Sequence, residues 1–146
     1  MGYVFRFETL KRVRKIRENL ALQEFSAAQE RLRNLEGQKE EKLARRMSSV
    51  LALMERMETG IPARDARTYT RYIALLEDEA ERIGTLIEDA RARLDGKREA
   101  LLKARQEHKA MERLREIDVE RYQEHQSKLE MNFIDEIAIM RHGRRP

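Results

Sequence analysis

The sequence predicts an all-α fold, a long antiparallel two-helix coiled-coil hairpin, and three observations support this prediction. Charged residues make up 40% of the 146 residues and aromatic residues 5%, a composition typical of long helices and coiled coils. With only 6 Gly and 2 Pro, the chain has few places to turn. An apolar repeat of 3.5 residues runs through its second half, which is the pattern of a helix that packs along one narrow seam.

We expect one coiled-coil domain over residues 1–146, with helix 1 at about 8–58, a turn at about 59–65 and helix 2 at about 66–141. Helix 1 carries an apolar stripe that slips near residues 38–42. Because no proline intervenes, we expect a local change of supercoil there rather than a break. The members of the stripe are Val13, Ile16, Leu20, Phe25, Ala28, Leu32, Leu35, Leu43, Met47, Val50, Met54, Met57 and Ile61.

The turn is predicted from three residues between the two helical patterns. Gly60 can adopt the left-handed conformation that closes a helix, and Pro62 prevents the helix from continuing. Asp65 is expected to cap the next helix by accepting hydrogen bonds from its free amides. Two long amphipathic helices joined by so short a loop are expected to fold back on each other.

Helix 2 carries the longest regular repeat of the chain. Thirteen of its 18 repeat positions are apolar, and at about 1.5 Å per residue the repeat alone extends over roughly 90 Å. The positions are Tyr69, Ile73, Leu76, Ala80, Ile83, Ile87, Ala90, Leu94, Lys97, Leu101, Ala104, His108, Met111, Arg115, Asp118, Tyr122, His125 and Leu129.

Helix 2 is longer than helix 1, so it is expected to project beyond its partner from about residue 120. Polar residues interrupt the repeat there, yet apolar residues return at Leu129, Phe133, Ile134, Ile137, Ile139 and Met140. An apolar surface without an internal partner predicts an external one. The alternative is a frayed or self-associating tail.

The residues needed for several kinds of chemistry are missing from the sequence. It has no cysteine, which excludes disulfides and thiol chemistry. Gly96-Lys97-Arg98 lacks the upstream glycine and the hydroxyl of a phosphate-binding loop. None of the three histidines follows a glutamate by three residues, as in metal-binding helical bundles, and we expect His108 and His125 to be coiled-coil residues. The chain is therefore predicted to be no enzyme and to use no cofactor or metal.

Charge is distributed unevenly along the chain. Residues 1–17 carry a net charge of +5, residues 141–146 carry +3 and the segment between them carries −4. The basic run from Lys11 to Arg17 resembles the basic region of a nucleic-acid-binding coil, but apolar residues and a clear turn argue against a continuous zipper helix. No run approaches the roughly 20 apolar residues that span a bilayer, and the first residues lack the apolar core of a signal peptide. We expect no membrane insertion and no nucleic acid partner.

Four stretches occur in a characteristic order and spacing. They are Phe5-Arg6-Phe7-Glu8-Thr9-Leu10 before a basic helix, Gly60-Ile61 in the turn, Tyr69-Thr70-Arg71-Tyr72-Ile73 with Leu76-Glu77 after it, and Asp135-Glu136-Ile137-Ala138 followed by Arg141. Together they resemble the FliJ family, the small coiled-coil component of the bacterial flagellar type III export apparatus. The resemblance covers nearly the whole chain.

The resemblance implies a non-enzymatic stalk of flagellar protein export. Members of the family bind the central hole of the hexameric export ATPase with the end that bears both termini, and they engage the membrane protein FlhA of the export gate with the other end. They also bind some export chaperones. The implied location is the cytoplasm, peripherally at the inner membrane of the flagellar base. The equivalent stalk of a virulence-type secretion system is the alternative within this class.

The resemblance also suggests site residues. The family's gate contact matches Tyr72 and Leu76, with Tyr69 and Ile73 beside them, although Ile73 and Leu76 also belong to the helix-2 repeat. Glu79 and Ile83 differ from the family pattern, and no role is carried over to them. For the ATPase ring we expect contacts from the basic run and the apolar tail, namely Arg12, Arg14, Arg17, Phe133, Ile137 and Arg141.

Overall fold

The fold is a helical hairpin, described by a computed structural model over residues 2–144. The two helices are α1, Glu8–Thr59, and α2, Ala63–Gly143. Within the described residues there is no strand. The predicted all-α hairpin is therefore confirmed.

The loop between the helices spans residues 60–62. Gly60 has a φ of 84°, so it adopts the left-handed conformation that the sequence predicted, and its N–H donates to the Met57 carbonyl at 3.4 Å. The carbonyl of Pro62 accepts hydrogen bonds from the N–H groups of Asp65 and Ala66 at 3.0 and 3.2 Å. Asp65 therefore lies inside the first turn of α2, and the prediction that it occupies the capping position is wrong. In the first turn its negative charge interacts favourably with the positive end of the helix dipole.

Packing divides the chain into two compact units. We call Ala21–Leu101 the turn unit, and Met1–Leu20 together with Leu102–Pro146 the terminal unit. In the turn unit, Leu35 of α1 forms a buried cluster with Ile87 and Ala90 of α2, and Leu32 and Ile83 pack against it. The single-domain expectation stays a prediction.

The helix-2 repeat describes the buried face of α2 well. Every buried residue of α2 among the described residues lies on the predicted repeat: Leu76, Ala80, Ile87, Ala90, Leu94, Leu101, Ala104 and His108. Leu76, at 2% exposure, is the most buried of them. Farther along α2 the repeat positions Arg115, His125 and Leu129 are exposed, in line with the predicted weakening of the seam.

The stripe predicted for helix 1 is wrong over much of its length. Ile16, Leu20, Met47, Met54 and Met57 are all more than half exposed. Another repeat of α1, spaced by three and four residues with no slip, contains only buried or half-buried positions. This α1 seam consists of Lys11, Arg14, Glu18, Ala21, Phe25, Ala28, Leu32, Leu35, Lys39, Lys42, Arg46, Ser49 and Leu53.

In the terminal unit, the residues before α1 pack against α2. Phe5 is 5% exposed, and the Tyr3 hydroxyl donates to the Asp118 carboxylate at 2.8 Å. The rings of Tyr3 and Tyr122 lie 5.4 Å apart. Partial burial and, after it, the hydrogen bond to Asp118 raise the pKa of Tyr3 above its ordinary value of 10.0, because both oppose ionisation of the phenol.

Candidate partner-binding surfaces

The expected gate contact contains one clearly exposed side chain. Tyr72 is 42% exposed, Ile73 and Tyr69 are half-buried, and Leu76 is buried at 2%. Ile73 and Leu76 lie on the repeat that faces α1, whereas Tyr72 precedes Ile73 and is rotated from it by about 100°. Of these four residues, only Tyr72 offers substantial surface to a partner, and Leu76 belongs to the core.

Tyr69 is held in place by α1. The Arg56 guanidinium lies 5.8 Å from the centre of the Tyr69 ring, a cation–π arrangement, and its Nη1 donates to the tyrosine hydroxyl at 3.3 Å. Both residues belong to the turn unit. This contact joins the last turn of α1 to α2 next to the segment that presents Tyr72.

The basic run of α1 lies largely beside carboxylates. Arg14, on the α1 seam, pairs with Glu107 of α2. Arg12 lies 3.9 Å from Glu8 and Lys15 lies 4.0 Å from Glu18. These partners offset much of the positive charge that phosphate binding needs, so the structure does not favour the nucleic-acid alternative.

Sequence reasoning missed a cluster of polar side chains around the buried His108 in the same unit. His108 is 8% exposed, and its Nδ1 lies 2.8 Å from a Glu18 carboxylate oxygen. Its Nε2 lies 3.5 Å from Glu112, and Arg105 approaches Glu18 at 3.9 Å. Within the described residues, no group of three or more acidic or histidine side chains is arranged to hold a metal ion.

The end of α2 presents several large apolar side chains to solvent. Phe133 is 63% exposed and Ile139 71%, while Ile137 is half-buried. Among residues 123–144, no side-chain hydrogen bond, ion pair or ring contact reaches the residues before α1 or α1 itself. Arg141 lies in the last helical turn, where a positive charge complements the helix dipole.

The turn unit contains charged residues in its seam that the apolar stripe did not predict. Lys42 pairs with Glu79 at 2.9 Å, and Arg46 pairs with Glu77 at 2.6 Å. Steps of four and three residues from Leu35 along α1 reach both cations, so the spacing of the sequence already indicated that they lie on the packed face. Their long aliphatic stems can cover apolar surface while their charged ends reach the acidic residues of α2.

The comparisons with known proteins give one match. The family model described as flagellar FliJ protein matches residues 3–146. No curated protein and no solved structure matches the chain. Among residues 2–144, neither helix contains an apolar stretch of the kind that a membrane span requires. Because the family match spans almost all of a chain that folds as a helical hairpin, the chain belongs to the FliJ family of flagellar proteins.

Proposed function

We propose that this protein is the non-enzymatic stalk of a flagellar export apparatus, located in the cytoplasm at the flagellar base. Its terminal unit binds the hexameric export ATPase, and its turn unit binds the gate protein FlhA. Family membership supports a role in flagellar protein export. The family match is to a flagellar family, which favours this role over a virulence-type secretion stalk. Escort of export chaperones is part of the same proposal.

The observation that carries the proposal is the unpartnered end of α2. An exposed run of large apolar side chains is unfavourable in water, and such patches mark protein–protein contacts. Phe133 and Ile134 are each more than 60% exposed, and exposed Arg141 follows them. Phe133, Ile137 and Arg141, with Arg12 and Arg17 of α1, are the proposed ring contacts. Arg14 contributes less because Glu107 already pairs with it.

The ring contact is tested by measuring ATP hydrolysis by the cognate ATPase with and without the protein. We expect wild-type protein to raise the rate, and Phe133→Ala to need at least about tenfold more protein for the same effect, because buried aromatic anchors dominate interfaces. Met131→Ala is the matched control: Met131 is 65% exposed and lies about 200° around the helix from Phe133. An unchanged rate at saturating wild-type protein contradicts the proposal.

The gate contact is tested separately through Tyr72. Tyr72→Ala is expected to weaken binding to the soluble part of FlhA while circular dichroism shows unchanged helix content, because 42% of this side chain is already exposed. Leu102→Ala removes a similarly exposed side chain, 51%, elsewhere on α2 and is expected to bind normally. Loss of helix content in Tyr72→Ala shows instead that Tyr72 is structural.

A further inference from the structure

A second apolar repeat runs along α1 in the turn unit and faces solvent. It consists of Leu43, Met47, Val50, Met54 and Met57, which we call the α1 stripe. Leu43 is 42% exposed, the three methionines are between 54% and 62% exposed, and Val50 is half-buried. The members are separated by four and three residues in alternation, so they line one face of the helix over about 20 Å.

Packing within the hairpin explains why this stripe has no partner. The face of α1 that meets α2 is fixed by Leu32 and Leu35 against Ile87 and Ala90. The same register places Lys42 and Arg46 against Glu79 and Glu77. Turning α1 to bury the α1 stripe against α2 removes both the apolar cluster and these ion pairs. The helix therefore carries two repeats, one used by α2 and one left over.

The groove beside Leu43, at one end of the α1 stripe, is rich in acidic residues. Leu43 lines a groove between the two helices together with Glu40, Glu81, Glu88 and Gly84. Of the two cations in this groove, Lys39 and Arg91, the latter already pairs with Glu36 at 3.6 Å.

Acidic residues also lie along the outer side of the α1 stripe. Glu55 and Glu58 occupy helix positions next to Met54 and Met57, and the cation between these methionines, Arg56, packs against Tyr69 of α2. Within the described residues, no ion pair involves Glu40, Glu55, Glu58, Glu81 or Glu88. We call these five glutamates the acidic frame of the α1 stripe. Carboxylates without a nearby cation attract positive charge and repel negative charge.

We infer that the α1 stripe and the acidic groove beside it bind an amphipathic helix of a partner protein whose apolar repeat is flanked by Lys and Arg. A 3.5-residue repeat matches the side-chain spacing of a second helix. Methionine side chains adapt to varied apolar surfaces, and the acidic frame selects basic flanks. A second copy of this chain fits poorly, because pairing two α1 stripes brings two acidic frames together.

This binding surface is independent of the ring and gate contacts proposed above. It includes neither Tyr72 nor the end of α2, so loss of either of those contacts leaves it intact. Its occupant is also selected by local rather than overall charge. The whole chain has a net charge of +4, which by itself disfavours binding of a basic helix.

The experiment uses the full chain and two synthetic helical peptides of about three heptads. Both peptides carry the same leucine repeat; one is flanked by Lys and the other by Glu. Binding is measured by fluorescence anisotropy at ~0.15 M salt, where weak long-range attraction is screened. We expect the Lys-flanked peptide to bind at least tenfold more tightly than the Glu-flanked peptide.

Two double variants locate the binding surface. Met47→Gln with Met54→Gln is expected to weaken binding of the Lys-flanked peptide at least tenfold. Leu75→Gln with Leu86→Gln makes comparable changes at exposed positions of α2 outside the groove and is expected to bind as wild type. Circular dichroism checks that both variants remain helical.

Three results overturn the inference. The first is equal affinity for the two peptides, and the second is binding that the double methionine variant leaves unchanged. The third is dimerisation of the wild-type chain in analytical ultracentrifugation together with a monomeric double methionine variant. That result shows that a second copy of the chain occupies the α1 stripe.

Discussion

Two leucine-to-alanine substitutions on α1 test the register of the hairpin directly. Leu35 lies on the α1 seam and is 5% exposed, whereas Leu43 lies on the α1 stripe and is 42% exposed. The apolar pattern alone assigns both residues to the packed face. The structure assigns only Leu35 to it, so Leu35→Ala is expected to destabilise the hairpin far more than Leu43→Ala.

The expected magnitudes follow from burial. Replacing a buried leucine by alanine costs about 2–5 kcal/mol, the spread reflecting the cavity left behind. Leu35 packs against Ile87 and Ala90 in a seam only two helices deep, so we expect about 2–3 kcal/mol. Leu43 is already substantially in water and leaves no closed cavity, which limits its cost to about 0.5–1 kcal/mol.

Thermal unfolding followed by circular dichroism at the helical signal measures the difference. For a chain of this size about 2–4 °C of melting temperature corresponds to 1 kcal/mol, so Leu35→Ala should melt roughly 2–10 °C below Leu43→Ala. Both variants replace leucine by alanine inside the same helix, so the change in helix propensity cancels. Equal melting temperatures, or a lower value for Leu43→Ala, refute the assigned register.

Two further predictions concern the turn and the N-terminal arm. Gly60 has a φ of 84° with no neighbour to obstruct a Cβ atom, so Gly60→Ala should destabilise by about 1–2 kcal/mol through backbone strain alone. Gly96 lies inside α2 with equally open space around it, so Gly96→Ala should stabilise the protein by about 0.5–1 kcal/mol. Changes of melting temperature in the same direction for both variants contradict this reasoning. The raised pKa of Tyr3 means that the folded arm holds the phenol proton more tightly than the unfolded chain. The contribution of Tyr3 to the stability of the folded protein is therefore complete below pH 10 and is lost as the pH rises through the pKa of Tyr3 in the folded protein. In ultraviolet titrations the spectral change that Tyr3→Phe removes should occur above the ordinary tyrosine range; loss of a tyrosine that titrates normally argues against the hydrogen bond to Asp118.

The helix-2 repeat could be predicted from sequence because its signal is redundant. From Tyr69 to Leu94 every repeat position is apolar, and no neighbouring face offers a competing stripe of equal regularity. A single polar residue such as His108 does not shift the register, because apolar positions on both sides fix it. Burial on the predicted side of α2 follows from that regularity.

The packed face of α1 could not be chosen by hydrophobicity alone, because the helix carries two competing stripes. From Leu20 to Phe25 the predicted stripe advances five residues, a step that leaves the face already established. Counting back toward the N-terminus from Phe25 in steps of four and three residues instead reaches Glu18 and Arg14, whose charges argue against burial. Those charges are accommodated because α2 places polar groups beside them, Glu107 next to Arg14, and Arg105 and His108 next to Glu18. Pairing across the fold is not visible in either segment by itself.

The site residues also include some whose surroundings the sequence could predict and some whose surroundings it could not. Exposure of Tyr72 and burial of Leu76 both follow from the helix-2 repeat, since only one of them lies on it. The loss of free charge at Arg14 does not follow from the local sequence, because its partner is 93 residues away along the chain. Local periodicity therefore predicts which face a residue occupies, while the charge a surface presents depends on long-range pairing.

The polar seam of the turn unit links its packing to its surfaces. Lys42 and Arg46 occupy positions where apolar residues would bury more area, and their pairs with Glu79 and Glu77 are partly exposed. Such pairs contribute only about 0–1 kcal/mol each, so the buried apolar residues, including the Leu35 cluster and Leu76, provide most of the packing energy of this unit. The ion pairs favour the same face of α1 as the Leu35 cluster, because burying the α1 stripe instead would separate the paired charges. Placing apolar residues on the free face and charged residues in the seam therefore sacrifices stability within the hairpin and keeps an apolar surface available to a partner.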